Sequence, residues 1–295
     1  MNLVLSPRFV KCILLLVLLP MAGFTQTGTV FDNKTMVSEI LNMERKYAIY
    51  LPPDYETSQR SYPVLYLLHG AGDDQTGWVQ KGEVKQIADR AIADGKSTAM
   101  VIVMPDAQTG QRGYFNNPDG SWNYEDFFFE EFMPYIEKTY RIRSEKRYRA
   151  VAGLSMGGGG AFLYAIQRPD LFDSSCPMSA STGPVRLEDV NRIFERRGVS
   201  NTSEEEKWQY YKERSVLAQM EEGDLEKLRS VQWYIDCGDD DFLYEGNALV
   251  HIAMRKREIP HQYRVRDGGH NWQYWRSSLP EVLAFISKRF TWENN

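Results

Sequence analysis

The chain has 295 residues, of which 42% are hydrophobic, 25% charged and 13% aromatic, proportions that exclude disordered, collagenous and fibrous readings. Lys and Arg number 35 against 40 Asp and Glu, a net charge of −5. An acidic chain is poorly suited to neutralising phosphates, so no nucleic-acid partner is expected. Three cysteines, Cys12, Cys176 and Cys237, are too few for a disulfide scaffold, and a chain this long buries a core without staples.

Arg8 and Lys11 precede an apolar run from Cys12 to Leu19, which Pro20 breaks before the small residues Ala22 and Gly23. This is the layout of a secretory signal peptide, expected over residues 1–25. The run falls short of the roughly 20 apolar residues that span a bilayer. The expected product is one domain over 26–295, secreted or periplasmic, with no membrane partner after cleavage. Loss of Arg8 and Lys11 leaves 33 basic residues and a net charge of −7.

Alternation from Lys46 to Leu51 predicts a half-exposed strand, and the continuous apolar run from Pro63 to Leu68 a buried one. Val84, Ile87, Ala88, Ala91 and Ile92 recur at helical spacing and stop at Gly95, a C-terminal cap signal. Val101 to Met104 forms another buried strand. Phe128, Phe132, Tyr135 and Ile136 mark a second helix, with Pro134 expected to kink it. Then come a strand from Tyr148 to Ala152, a helix from Gly158 to Gln167 and a strand from Ser174 to Met178. Val231 to Asp236 and Tyr263 to Val265 supply two more strands, with a helix around Asn247 to Lys256 between them. Strands alternating with helices imply parallel crossover units and a sheet covered on both faces.

Residues 186–230 break this rhythm, with 20 charges in 45 positions and helical spacing at Leu187, Val190 and Phe194. Ser203 followed by Glu206 is a capping box. The segment reads as a helical insertion, either a lid over the site or a solvated decoration. Trp208, Tyr210 and Tyr211 are its pocket-facing candidates.

Gly153-Leu154-Ser155-Met156-Gly157 matches the nucleophile-elbow pattern. Three fixed positions recur by chance in about one chain in ten of this length. The strand leading in and the small-residue helix leading out supply the context the motif requires. No Gly-Lys-Ser/Thr follows the glycines Gly157 to Gly160, so a phosphate loop is rejected. Serine needs a neighbouring base. Of four histidines, His270 follows Gly268 and Gly269 after the last strand, the position expected of the base; His69, His251 and His261 read as structural. The acid should follow a strand between serine and histidine. Asp239, Asp240 and Asp241 all qualify, and Asp241 is preferred with Asp240 next. The oxyanion donors are expected to be the backbone amides of Met156 and Ala71, the latter in His69-Gly70-Ala71-Gly72 after an early strand.

The strings YLPPDY, YPVLYLLHGAG, VAGLSMGGGGA, YIDCGDDD and GGHNWQYW resemble the esterase D superfamily, and within it carbohydrate esterase family one, which includes feruloyl esterases. The similarity runs from about residue 44 to 290. It implies an α/β-hydrolase fold, a mostly parallel central sheet with helices on both faces and a helical insertion before the acid-bearing strand. It further implies a serine esterase with no cofactor and no metal, and the triad Ser155, Asp241 and His270. The acid of that family falls three positions after the glycine matched by Gly238, which favours Asp241.

Trp78, Trp122, Tyr124, Tyr244 and Trp272 fall in segments expected to rim the site, where planar rings suit a phenolic acyl group or a sugar face. Core packing is the competing reading, favoured for Trp275. The expected substrates are feruloyl esters of plant xylan, with acetyl esters of xylan the alternative. Siderophore ester hydrolysis, acyl transfer and non-catalytic carbohydrate binding are lesser ones. The expected partner is thus a feruloylated or acetylated plant polysaccharide or oligosaccharide. Export would permit a Cys176–Cys237 bridge, but their registers are offset, one within a strand and one at a strand end.

Overall fold

The apolar runs assemble into a single eight-stranded sheet in the computed structural model, which describes residues 26–107, 113–117, 120–196, 199 and 202–291. The expected signal peptide lies outside the described residues. The strands are β1 (Thr29–Ser38), β2 (Met43–Leu51), β3 (Val64–Leu68), β4 (Val101–Pro105), β5 (Arg149–Leu154), β6 (Ser174–Met178), β7 (Gln232–Gly238) and β8 (His261–Arg266). Their spatial order is β1-β2-β4-β3-β5-β6-β7-β8. β1 and β2 pair antiparallel, as do β2 and β4, and every later pairing is parallel. β1 carries no apolar alternation for most of its length and is exposed over its first seven residues apart from partly covered Val30, which is why the sequence pattern did not announce it. β2 is more buried than its alternation predicts, because strands flank it on both sides.

Short helices α1 (Gly77–Gln80) and α2 (Val84–Ala93) follow β3, and α3 (Tyr124–Asp126) follows β4. A π-helical stretch over Phe127–Phe132 then runs into α4 (Met133–Thr139), so Pro134 opens a helix rather than kinking one. Pro is well placed there, since the first-turn amides lack helical partners. α5 (Met156–Gln167) follows β5. The insertion forms α6 (Leu187–Arg196), α7 (Glu204–Arg214), α8 (Val216–Glu222) and α9 (Leu225–Arg229). α10 (Tyr244–Lys256) and α11 (Trp272–Thr291) complete the set.

Alternate side chains of each central strand point to opposite faces, and each face has its own core. Ile49, Tyr66, Val103, Val151 and Ile235 pack with Phe128, Phe162 and Met254 on one side. Tyr50, Leu67, Ile102, Ala152 and Met178 pack with Ala88, Leu279 and Leu283 on the other. The fold is the mostly parallel α/β-hydrolase architecture expected. α8 joins the first core through Val216, Leu217 and Met220, so the insertion is anchored rather than solvated throughout. The predicted capping box is formed, Ser203 Oγ accepting from the Glu206 amide at 3.1 Å. Cys176 and Cys237 are both buried and free, in line with their offset registers.

β3 and β5 are neighbours, Leu68 pairing with Gly153, while the chain leaves β3 for β4 on one side and β5 for β6 on the other. Such a switch point opens a crevice at the carboxyl ends of the strands. The functional site is built there.

Candidate active site

The turn after β5 holds Ser155 at φ 55°, ψ −116°, a left-handed conformation that a side-chain-bearing residue occupies at a cost of about 1–3 kcal/mol. Two close approaches enforce it. A Cβ on Gly153 would stand 2.4 Å from the Gly157 oxygen, and one on Gly157 would stand 2.6 Å from the oxygens of both Leu68 and His69. Only glycines let β5, the start of α5 and the end of β3 pass this closely. The serine backbone is pinned as well: its amide donates to Met178 O at 3.0 Å, and its carbonyl accepts from Ser181 N at 2.9 Å.

His270 Nε2 lies 2.9 Å from Ser155 Oγ. Its Nδ1 faces both oxygens of Asp241, at 3.0 and 2.9 Å. The Asp241 side chain is wholly buried, whereas Asp239 and Asp240 are exposed. Asp241 is therefore the carboxylate that meets the histidine, and Asp240, the runner-up, does not. Burial pushes the Asp241 carboxyl up, but hydrogen bonds from His270, the Leu243 amide (2.8 Å) and Ser179 outweigh it and hold the group below its ordinary range. Ser179 is itself buried and at φ 45°, and its Oγ accepts from the Trp275 indole at 3.0 Å. The arrangement is a continuous relay from Trp275 through Ser179, Asp241 and His270 to Ser155. It fixes the imidazole with Nε2 free to take the serine proton.

Ala71 and Met156 line the same cavity as Ser155, one in the loop after β3 and the other opening α5. Neither amide has an acceptor among the described residues. His69 holds the loop from beneath: its Nδ1 donates to Gly70 O at 2.8 Å and its Nε2 accepts from Ala107 N at 2.9 Å. Both contacts suit the neutral ring, and burial lowers its pKa. His69 is structural, as are His251 and His261, whose rings contact each other at 2.7 Å away from the cavity.

The cavity measures about 470 Å³ and follows one face of α5, where Ser155, Gly159 and Leu163 recur every four residues. Phe115 and Phe242 supply aromatic wall, and Ile193, Tyr210 and Arg214 come from the insertion. A family of putative esterases matches residues 38–286. The chain belongs to that esterase family. A solved ferulic acid esterase is 40% identical and covers 90% of this chain and 99% of its own, with a TM-score of 0.78. An esterase of Mycobacterium tuberculosis is 41% identical over 143 residues, 47% of this chain and 29% of the relative. An endo-1,4-beta-xylanase/feruloyl esterase of Xylanibacter ruminicola is 35% identical over 147 residues, 47% of this chain and 20% of the relative. The match thus spans less than a third of the length of these two relatives.

The esterase site differs from the sequence expectation in its aromatic residues. Trp78 is fully buried and its indole donates to Leu68 O at 3.0 Å, bracing the end of β3 from inside. Trp122 is 8% exposed and packs on Tyr124, which is buried with its hydroxyl on Asp106 O at 2.9 Å. Trp272 stands edge-on between Trp78 and Trp275, at ring distances of 5.2 and 5.3 Å. Tyr244 is exposed at the start of α10. None of the five lines the cavity. Phe242, 71% exposed with its ring 4.5 Å from that of His270, lines the cavity instead. Its position directly after the acid was the one available signal.

Asp239, Asp240 and Asp267 bring carboxylate oxygens within 4.8 Å of one another on the surface, the cluster among the described residues with metal-ligand spacing. It is exposed and apart from the cavity wall.

Proposed function

We propose that this protein is an exported serine esterase that releases hydroxycinnamic acids, chiefly ferulate, from plant cell-wall xylan. The observation that carries the reading is the hydrogen-bonded chain from Asp241 through His270 to Ser155, opening into a cavity of about 470 Å³. In this mechanism Ser155 Oγ attacks the ester carbonyl while His270 Nε2 accepts its proton, and Asp241 stabilises the imidazolium. The amides of Ala71 and Met156 take the developing oxyanion. His270 then protonates the departing alcohol, and water activated by the same ring releases the acid from the acyl-enzyme.

The size of the cavity and the rings of Phe115 and Phe242 favour a planar aromatic acyl group over acetyl, which would leave most of the space unfilled. The 40% identity to a ferulic acid esterase across nearly the whole of both chains points the same way. Hydrolysis of methyl ferulate, 4-nitrophenyl acetate and acetylated xylan, each beside Ser155→Ala, tests the reading. Ferulate release abolished by the substitution supports it. Acetyl release without ferulate release replaces it with a deacetylase.

A further inference from the structure

Arg214 stands on the wall of the catalytic cavity, contributed by the last residue of α7. Its side chain is 16% exposed. One terminal nitrogen lies 3.3 Å from Glu125 Oε2 and the other 3.3 Å from the Asn116 carbonyl oxygen, both long for charge-assisted contacts. A guanidinium carries five N–H donors in a planar fork, and these two contacts leave donor capacity unused among the described residues. Its plane of charge also faces the Phe115 ring, 4.8 Å from the centroid. Phe115 in turn packs on Tyr164, next to Leu163, at 6.0 Å. Leu163 is eight residues beyond Ser155 along α5, about 12 Å at 1.5 Å per residue. The cationic fork and its aromatic partner thus share one cavity wall with Leu163, in the same cavity as the nucleophile.

We propose that Arg214 and Phe115 form a subsite for the far end of a rigid aromatic acyl group, the Arg214 guanidinium donating to ring oxygens such as a phenolic hydroxyl or methoxy. The inference rests on the hydroxycinnamoyl reading above and deepens it. Phe115 packs against the ring, and Arg214 selects acyl groups that carry an acceptor oxygen over those that do not. Glu125, whose carboxyl burial raises despite the neighbouring Arg214, balances the charge when the subsite is empty. The insertion between β6 and β7 then acts as a specificity element, because Arg214 belongs to it.

The test is the ratio of kcat/KM for methyl ferulate to that for methyl cinnamate, which lacks both ring oxygens, in wild type, Arg214→Met and Arg214→Lys. A partly unfolded variant loses both activities alike, so the ratio reads selectivity alone. Wild type should prefer ferulate, Arg214→Met should lose about ten- to a hundredfold of that preference, and Arg214→Lys should keep an intermediate share. An unchanged ratio in Arg214→Met overturns the subsite while leaving the hydroxycinnamoyl reading in place. A wild type that hydrolyses 4-nitrophenyl acetate but neither methyl ester overturns both.

Discussion

Gly157→Ala addresses the seam on which the site is built. A Cβ at this position would stand 2.6 Å from Leu68 O, 2.6 Å from His69 O and 2.7 Å from Leu68 C, all of them backbone atoms that cannot rotate aside. Relief to an ordinary contact near 3.4 Å requires the end of β3 and the start of α5 to part by about 0.8 Å. The Ala71 amide lies just beyond one side of this seam and the Met156 amide on the other. Donors must lie about 2.7–3.1 Å from the oxyanion, so this opening takes one of them out of range, and a lost donor lowers kcat by about 10²–10³. Overpacking costs about 1–3 kcal/mol, of which the better helix propensity of Ala returns about 0.5–1. A net loss of about 1–2 kcal/mol moves Tm by a few degrees in a domain of this size. Steady-state kinetics on 4-nitrophenyl acetate with a thermal melt of the same preparation measures both. A variant within threefold of the wild-type kcat despite a lowered Tm would show that these two amides do not form the oxyanion hole.

Ser179→Ala removes a donor to Asp241 and orphans the buried Trp275 indole, so a stability loss of about 1–3 kcal/mol and a fall in kcat/KM of tenfold or more are expected from denaturation and kinetics. Trp275→Phe leaves the Ser179 contact to Asp241 in place and should lower stability with a smaller effect on kcat. Phe242→Ala, at an exposed ring, should leave stability within about 0.5 kcal/mol while raising KM for aromatic esters several-fold and sparing 4-nitrophenyl acetate. His69 is buried with its pKa lowered, so as pH falls the unfolded chain takes up a proton first. Its contribution is full above the ordinary imidazole value near 6.5 and declines, at up to about 1.4 kcal/mol per pH unit, as pH drops toward the depressed native value. Urea midpoints at pH 8, 7, 6 and 5 should show this decline, and His69→Asn should be less stable at pH 8 but flatter across the series.

Much of the framework was legible because its signals are local. Buried strands such as Val64–Leu68 and Val101–Pro105 are continuous apolar runs, and a glycine-flanked serine between strand and helix has few structural uses. The triad members stand at strand ends, so chain order and loop position pointed to Ser155, His270 and Asp241. What failed required knowing where a side chain turns. Trp78 follows the loop after β3 in sequence, yet its helix directs it into the core and onto Leu68 O at the end of that central strand. Trp122 and Tyr124 turn inward to pack on each other at a tilt, and the Tyr124 hydroxyl reaches Asp106 O. Phe115 and Arg214 come 99 positions apart to form one wall, and nothing in either neighbourhood distinguishes Arg214 from the other charges of the insertion. β1 escaped notice because an edge strand facing solvent needs no apolar alternation.

In the proposed reaction Ser155 carries the acyl group. This role is tested most directly by treating the full chain with a fluorophosphonate, locating the adduct by peptide mass spectrometry, and following methyl ferulate hydrolysis in the same samples. A single adduct on Ser155, activity lost in proportion to labelling, and neither label nor hydrolysis in Ser155→Ala are expected. Hydrolysis that persists in Ser155→Ala, or an adduct on another residue that tracks the loss of activity, would contradict it.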